Sequence, residues 1–367
     1  MVEQATVNRW VTGSSPVAGA KSFIMKRVLI TGGAGFIAHH TIKHFLQNTD
    51  WEIVSLDRLD YSGNLNRIHD MMSDLGSDVK KRLKVVYHDL RAEVNQMISS
   101  DLGQFNYIIH MAASSHVDRS IEDPMCFVLD NVVATCSILN FARNQNNLER
   151  FVYFSTDEVF GPAPAGVNYK ERDRYNSTNP YSATKAGGEE LAVAFENSYK
   201  MPVYITHTMN VFGERQHPEK FIPMTIKKVR DSENVTIHSD SSKKIPGSRH
   251  YIHAIDVADG CLFLLKNENK INKIKRDYGG AKCPKFNLVG PVEWNNLELA
   301  QKIADVQKKE LKFEMVDFHS SRPGHDLRYA LDGSLMENLG WIPKISIEER
   351  IFQVVEWSLK NDRWLKY

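Results

Sequence analysis

Cysteine is scarce in this chain, and neither sign of charge is in excess. The four cysteines, Cys126, Cys136, Cys261 and Cys283, are widely spaced and form no CxxC pair, which argues against a zinc knuckle and a disulfide framework. A reducing, cytoplasmic location is therefore expected. Lys and Arg together number 46 against 45 Asp and Glu, so charge gives no reason to expect a nucleic acid or an anionic membrane as a partner.

Long apolar runs, internal repeats and low-complexity tracts are also missing. No uninterrupted apolar run approaches the ~20 residues that a membrane-spanning helix needs, and we predict no metal site. Residues 1–24 lack the apolar core of a secretory signal, so we expect a disordered tail before Met25. The apolar share of 42% and the charged share of 25% are those of an ordinary globular protein.

From Lys26 onward, short apolar runs alternate with longer amphipathic stretches, which is typical of βαβ units around a parallel sheet. We therefore predict an α/β fold with a Rossmann-like doubly wound parallel sheet over residues 25–212. A smaller substrate-binding lobe should occupy residues 213–367, from which some segments return to the sheet. Ligands belong at the carboxyl ends of the strands. The predicted strands are 27–30, 52–56, 83–87, 107–111, 151–155 and 203–206, and the main predicted helices are 39–47, 127–143 and 181–199.

A glycine-rich turn follows the first predicted strand. Gly32 permits the tight turn and Gly35 lets a pyrophosphate approach the backbone. Backbone N–H groups at the start of the next helix, around Phe36 and Ile37, can then hold the phosphates. Asp57 ends the second strand, 25 residues after Gly32, where its carboxylate can accept hydrogen bonds from both ribose hydroxyls. Because Asp57 would repel a 2′-phosphate, the sequence predicts NAD rather than NADP.

Further cofactor contacts are predicted at the ends of the third and fourth strands. Asp89 is a candidate adenine contact, and Leu90, Ala112 and Ala113 are expected to line the same site. Arg58 could in principle accept a 2′-phosphate, but the carboxylate that precedes it at the strand tip is better placed.

Tyr181 and Lys185 supply a base for oxidising an alcohol. They are four residues apart on a predicted helix and therefore share one face. A phenol with a pKa near ~10 is a poor base at neutral pH, and we expect the neighbouring ammonium to lower that pKa. Lys185 could also hold the nicotinamide ribose. Thr156, at the end of the fifth strand, should hydrogen-bond the same substrate hydroxyl.

The order of these motifs resembles that of the extended short-chain dehydrogenase/reductase family, from about Lys26 to the C-terminus. The resemblance implies a Rossmann domain, bound NAD and a nucleotide-sugar substrate. Four separate runs are similar to those of the nucleotide-diphosphate-glucose 4,6-dehydratases. These runs are HVDRS at 116–120, STDEVFG at 155–161, HPEKFIP at 217–223 and RPGHDLRYALD at 322–332.

Two adjacent carboxyls, Asp157 and Glu158, distinguish the chain from many epimerising relatives. After oxidation at sugar C4, the ketone acidifies the C5 proton, and Glu158 can remove it. Loss of the C6 hydroxyl as water needs a proton donor, for which Asp157 must stay protonated in a buried, carboxylate-rich site. The alternative interpretation makes the two residues a helix cap and a first-turn acid.

The resemblance also implies a set of substrate contacts and a homodimer built on the helices at 127–143 and 181–199. The expected reaction converts dTDP-glucose or UDP-glucose to the 4-keto-6-deoxy sugar, and the nucleotide stays open. A 4-epimerase, a UDP-glucuronate decarboxylase and a non-catalytic NAD-binding module remain alternatives. The implied contacts to the diphosphate, the nucleoside or the sugar are Ser115, Arg119, Asn210, Lys220, Arg249, Asn287, Arg322 and His325.

Overall fold

The computed structural model describes residues 25–277, 283–317 and 328–366. The predicted disordered tail, Arg322 and His325 lie outside these residues. The strands are β1 Arg27–Thr31, β2 Glu52–Asp57, β3 Leu83–Tyr87, β4 Tyr107–His110, β5 Arg150–Thr156, β6 Val203–Thr208, β7 Asn210–Phe212, β8 Val235–Ser239, β9 Ser248–His253, β10 Lys285–Leu288, β11 Glu293–Asn295 and β12 Phe313–Asp317.

Helices separate most of these strands. They are α1 Phe36–Asn48, α2 Leu65–Ser73, α3 Ser77–Lys80, α4 Gln96–Leu102, α5 Val117–Glu122, α6 Pro124–Val128, α7 Ala134–Ala142, α8 Pro180–Tyr199, α9 Phe221–Arg230, α10 Ala254–Lys266, α11 Glu268–Asp277, α12 Asn296–Val306, α13 Ser334–Leu339 and α14 Ile347–Lys360. A π-helical turn at Leu129–Val133 joins α6 to α7, and short 3₁₀ turns lie at Asp157–Phe160 and Asp362–Leu365.

A seven-stranded sheet forms the centre of the molecule, in the order β3-β2-β1-β4-β5-β6-β10. Every neighbouring pair in it is parallel. The α/β Rossmann-like fold is therefore confirmed, and all six predicted strands are present. The seventh strand, β10, was not predicted, because its four residues pair with β6 from about eighty positions further along the chain.

Helices cover both faces of this sheet. On one face, α1 and α10 pack Ile42, Phe45 and Leu264 against the strands, and on the other, α7 contributes Ile138 and Leu139. All seven residues of β5 are buried, as expected for a parallel strand covered on two sides. The polar groups at the carboxyl end of this sheet consequently rest on a tightly packed core.

Two small sheets lie in the chain after β6. Strands β7, β9 and β11 form one, and β8 pairs in parallel with β12 to form the other. Helices α9, α12 and α14 pack on them around Ile226, Leu299 and Val355. These sheets bring the segment after β6 over the carboxyl ends of the large sheet, where the predicted site residues lie.

The stretch Pro124–Ala142 is one continuous helical segment of 19 residues, long and apolar enough to cross a membrane by length and composition alone. The sequence predicts a helix over most of this segment, at 127–143, but no uninterrupted apolar run of spanning length, since Asp130 interrupts it. Half of its apolar window is buried inside the molecule. Asp130 and Asn131 in its centre are buried, so the segment has the polar contacts of a core helix.

Candidate active site

The glycine-rich turn brings the start of α1 to the middle of the sheet. Gly32 has φ +70°, and a Cβ atom there would lie 2.8 Å from the Cα atom of Ala112. A Cβ atom on Gly35 would lie 2.8 Å from the Gly32 carbonyl oxygen. Only glycine fits this close approach of β1, α1 and the end of β4. The backbone N–H groups that begin α1 are thus open to a phosphate.

Asp57 ends β2 beside this turn and is fixed by two backbone donors. Its Oδ2 accepts from the N–H of Ala34 at 3.0 Å and its Oδ1 from the N–H of Leu59 at 2.8 Å. The carboxylate lines a cavity with most of the predicted cofactor residues, among them those predicted to contact the adenine and its ribose. Its lining includes Gly32, Gly35, Asp57, Arg58, Asp60, Asp89, Leu90, Ala112, Ala113 and Asp130.

A larger cleft continues from this cavity toward the ends of β5 and β6. Gly32, Gly35 and Ala113 line both spaces. The cleft encloses about 1380 Å³ of empty space, including that open to solvent at its mouth. Its lining includes Phe36, Ile37, Ser115, Thr156, Asp157, Glu158, Tyr181, Lys185, Asn210 and Lys220.

Tyr181 and Lys185 lie one turn apart on α8, both buried, as their spacing predicts. The Lys185 Nζ donates to the Phe154 carbonyl at 2.6 Å and lies 4.4 Å from the centre of the Tyr153 ring. Burial lowers the pKa of Lys185 to about 7. Lys185 is consequently only partly protonated near neutral pH.

The pKa of Tyr181 is raised, contrary to the expectation that Lys185 lowers it. Burial raises the pKa of Tyr181, and the neighbouring Glu158 raises it further. A hydrogen bond with Thr156 works in the opposite direction. The physical reason is that α8 packs Tyr181 into a water-poor site beside a carboxyl group, which disfavours a phenolate.

Asp157 and Glu158 open a 3₁₀ turn directly after β5. Thr156, not Asp157, is the cap, since its hydroxyl accepts from the Glu158 N–H at 3.4 Å and donates to Asp157 Oδ1 at 3.0 Å. Burial raises the pKa of Asp157 to about 6. Burial and then the charge of Asp157 raise the pKa of Glu158 to about 7. Both carboxyls can therefore hold or release a proton near neutrality, as an elimination requires.

Three of the predicted substrate residues, Ser115, Asn210 and Lys220, line the cleft directly. Arg119 lies beside it, with its guanidinium 3.8 Å from the centre of the Tyr61 ring. Arg249 packs 4.8 Å from the Tyr329 ring centre, and its charge lowers the pKa of both Asp157 and Glu158. Arg249 and Lys220 thus put positive charge near the carboxyl pair.

Asn287 is not placed with the other predicted substrate residues. It is fully buried in β10, where its side chain donates to the Tyr169 and Asp332 carbonyls, each at 3.0 Å. The Oδ1 atom of Asn287 lies 3.1 Å from Nδ1 of His207. The side chain ties β10 to the neighbouring loops instead of facing the cleft.

Sequence reasoning missed two polar residues near the carboxyl pair. Asn179 caps α8, and its Nδ2 donates to Glu158 Oε2 at 3.1 Å. Glu189, one turn after Lys185, is fully buried and contacts His207 at 3.2 Å and Lys285 at 2.8 Å. The Asn-Pro start of the helix was a signal for Asn179. No local sequence pattern predicts the partners of Glu189.

The chain matches one family model over most of its length. The model is described as GDP-mannose 4,6 dehydratase and covers residues 29–354. The chain belongs to this family of nucleotide-sugar 4,6-dehydratases. The resemblance inferred from the sequence motifs is thus confirmed.

Within the described residues, no group of three or more His, Cys, Asp or Glu side chains could hold a metal ion.

Relatives and solved structures of this family extend over nearly the whole chain. A dTDP-glucose 4,6-dehydratase of Salmonella typhimurium is 32% identical, over 92% of this chain and 94% of that protein. The low-salt glycan biosynthesis protein Agl12 of Haloferax volcanii is 34% identical, over 91% of this chain and 99% of that protein. The crystal structure of the dTDP-glucose 4,6-dehydratase DesIV from Streptomyces venezuelae, with NAD bound, has a TM-score of 0.79 at 30% identity and covers 93% of this chain and 99% of its own.

Proposed function

We propose that this protein removes water from a nucleotide-diphosphate-glucose in an NAD-dependent reaction that yields the 4-keto-6-deoxy sugar. The observation that carries the proposal is the meeting of Tyr181, Thr156, Asp157 and Glu158 in one cleft that is continuous with the glycine-rich turn. An alcohol-oxidising group and an acid/base pair thus face the same substrate.

The residues present fit a bound dinucleotide. The open N-terminus of α1 at Gly35 suits a pyrophosphate, and Asp57 suits a ribose diol. Phe36, Ile37 and the side chains at the ends of β3 and β4 would enclose the rest. When bound, NAD⁺ accepts a hydride from sugar C4 and later returns it at C6.

The side chains of the cleft divide the proton transfers among them. Tyr181 takes the proton of the C4 hydroxyl, which Thr156 orients by a hydrogen bond. The C4 ketone makes the C5 proton acidic, and Glu158 removes it. Asp157 gives a proton to the C6 hydroxyl, which leaves as water. The C5 position is finally reprotonated, so that the product differs from the substrate by one water.

The raised pKa values of Asp157 and Glu158 support the part of this carboxyl pair in the proton transfers. Burial raises the pKa of both Asp157 and Glu158 into the range where protonated and ionised forms coexist, which favours transfer in either direction. A 4-epimerase on this fold has no elimination step that would use the pair, and a decarboxylase needs a carboxylated substrate.

For the donor nucleotide, we favour dTDP-glucose over UDP-glucose, since the Salmonella and Streptomyces relatives are named for the former. An assay of the full-length protein with both donors at matched concentrations tests this choice. Equal turnover of the two donors would contradict it.

The reaction itself is tested by incubation with a nucleotide-glucose in deuterated water. We expect product that carries one deuterium at C5 and has lost its 6-hydroxyl. Product that retains the 6-hydroxyl would exclude the dehydration and favour an epimerase.

We also propose that the protein forms a homodimer through α6, α7 and α8, as the resemblance implies. An apolar stripe supports this: Met125, Leu129 and Val133 are exposed at one-turn spacing along the outer face of the helical segment. The charged variant Leu129→Arg should shift the protein to monomer in sedimentation experiments. The control Met97→Arg, at an exposed methionine on α4, should not.

The assignment of residues 25–212 to the cofactor and 213–367 mainly to the substrate remains our proposal. Lys220 and Arg249 near the cleft support it, with β10 as a segment that returns to the large sheet. A cytoplasmic location is supported by the four cysteines, all of which are free thiols.

A further inference from the structure

A salt-bridge cluster borders the proposed adenosine cavity and has no part in the reaction steps. Its centre is Arg58, the residue that directly follows Asp57 at the end of β2. The Arg58 guanidinium binds two carboxylates at once, those of Asp60 and Asp130. All three residues line the cavity together with Asp57.

Most of the donors of Arg58 are occupied by these two partners. Its Nη1 and Nη2 donate to Asp130 Oδ1 and Oδ2 at 2.5 and 2.7 Å, a bidentate pair. Its Nε and Nη2 donate to Asp60 Oδ2 at 3.1 and 2.6 Å. A guanidinium has five N–H groups, so the fork that would grip a phosphate is already engaged.

Asp130 is the anchor of this cluster because it is the buried member. Its side chain is 3% exposed, against 30% for that of Asp60, so solvent and salt screen its charge least. The Ser114 hydroxyl donates to Asp130 Oδ2 at 2.6 Å. Asp130 lies in the π-helical turn at Leu129–Val133, and such turns are frequent at functional sites.

The charge at the cavity rim also disfavours an additional phosphate. Asp57, Asp60, Asp89 and Asp130 contribute four carboxylates, whereas Arg58 and Arg91 contribute two guanidinium groups, the latter at 2.5 Å from Asp89. The rim thus has a formal surplus of two negative charges. Arg58, which follows Asp57 at the strand tip, is held by Asp130, 72 positions away in the chain, and Arg91 lies 4.0 Å from the same carboxylate.

We propose that Asp130 is a specificity-determining residue, which holds the Arg58 guanidinium away from a 2′-phosphate and so makes the site select NAD over NADP. The inference rests on the dinucleotide-binding role proposed above. Asp57 discriminates by direct repulsion, whereas Asp130 acts by withholding the cation that would otherwise accept the phosphate.

The test is the ratio of the dissociation constants of NADP⁺ and NAD⁺, measured by calorimetry on the full-length protein stripped of nucleotide. The isosteric change Asp130→Asn frees part of the guanidinium and removes one negative charge. We expect the ratio to fall roughly tenfold, as for one charge at close range in a partly exposed site. The control Asp101→Asn, which removes an exposed carboxylate paired with Lys84, should leave the ratio unchanged.

A double variant separates withholding of the cation from a simple charge effect. Arg58→Met/Asp130→Asn is compared with Arg58→Met alone: in this background Asp130→Asn should no longer lower the ratio, because the Arg58 guanidinium that it would release is absent. An unchanged ratio in folded Asp130→Asn, or an equal fall when Asp130→Asn is added to Arg58→Met, would overturn the inference. If melting curves show that Asp130→Asn does not fold, Asp60→Asn releases the other side of the guanidinium and should lower the ratio in the same direction. Wild-type protein that binds neither nucleotide would instead overturn the proposed function.

Discussion

Two buried carboxyl sites flank the Tyr181–Lys185 pair and have opposite electrostatic character. On one side, Asp157 and Glu158 have raised pKa values, to about 6 and about 7. On the other side, Glu189 is fully buried, yet its pKa lies well below its usual range because His207 and Lys285 stabilise its charge against the cost of burial. The two sites share a sheet and a helix but differ in their partners.

The difference shows that burial alone does not set the state of a carboxyl group. Glu189 has two basic side chains within ion-pair distance, His207 at 3.2 Å and Lys285 at 2.8 Å, and its depressed pKa makes it a fixed charge in the core. Asp157 and Glu158 have neutral hydrogen-bond partners, Thr156 and Asn179. For these three described carboxyls, the raised pKa values accompany neutral hydrogen-bond partners and the depressed value accompanies basic partners.

The largest effect is expected from loss of the reacting groups themselves. Tyr181→Phe should prevent oxidation at C4, and Glu158→Gln should leave oxidation partly intact but stall elimination. Each should lower turnover by about 10²–10⁴-fold, the usual contribution of one positioned acid or base. Product formation and deuterium incorporation at C5 measure the two steps. Wild-type turnover in either variant would remove that residue from the mechanism.

On the opposite side of the Tyr181–Lys185 pair, Glu189→Gln should lower the free energy of unfolding without any change in a reacting group. It leaves Lys285, which is 14% exposed, and the fully buried His207 without their acidic partner, and loss of one partner of such a pair typically costs about 3–5 kcal/mol. Urea unfolding at pH 7 measures this, with the exposed neighbour Glu190→Gln as the matched control. Because the folded-state pKa of Glu189 is depressed, the difference should be present above about pH 4 and shrink as the pH falls further.

Neutralising Asp157 and Glu158 should have the opposite effect on stability and raise the free energy of unfolding. The raised pKa values of Asp157 and Glu158 mean that ionising them in the folded protein opposes folding. At pH 8, the free energy of unfolding of the double variant Asp157→Asn/Glu158→Gln should thus exceed that of wild type by on the order of 2 kcal/mol. Its melting temperature should be correspondingly higher. The gain should fade as the pH falls through 7 and 6 toward 4. A double variant that melts below wild type at pH 8 would contradict this interpretation.

The smallest expected effect concerns Asn179, the neutral partner of Glu158. Asn179→Asp keeps a helix cap but replaces the N–H donor by a negative charge, which should raise the pKa of Glu158 further. The acidic limb of the kcat/KM profile should then move to higher pH by about one unit. Asn179→Ser, which also caps a helix but adds no charge, should move it less. A limb that moves to lower pH would show that Glu158 is not the titrating base.

Local sequence by itself determined the six strands of the dinucleotide fold, the glycine turn and the common helix face of Tyr181 and Lys185. Each of these depends on periodicity or spacing within a few residues, which the chain encodes directly. The motif order was sufficient to identify the family.

Only the tertiary structure decided which charges meet. The pairing of β10 with β6, the burial of Asn287 and the contact of Arg58 with Asp130 join residues far apart in the chain. The pKa of Tyr181 depends on what packs around it, and its spacing from Lys185 predicted the wrong direction. Such properties are set by desolvation and by neighbours from other elements, and neither is a function of local spacing.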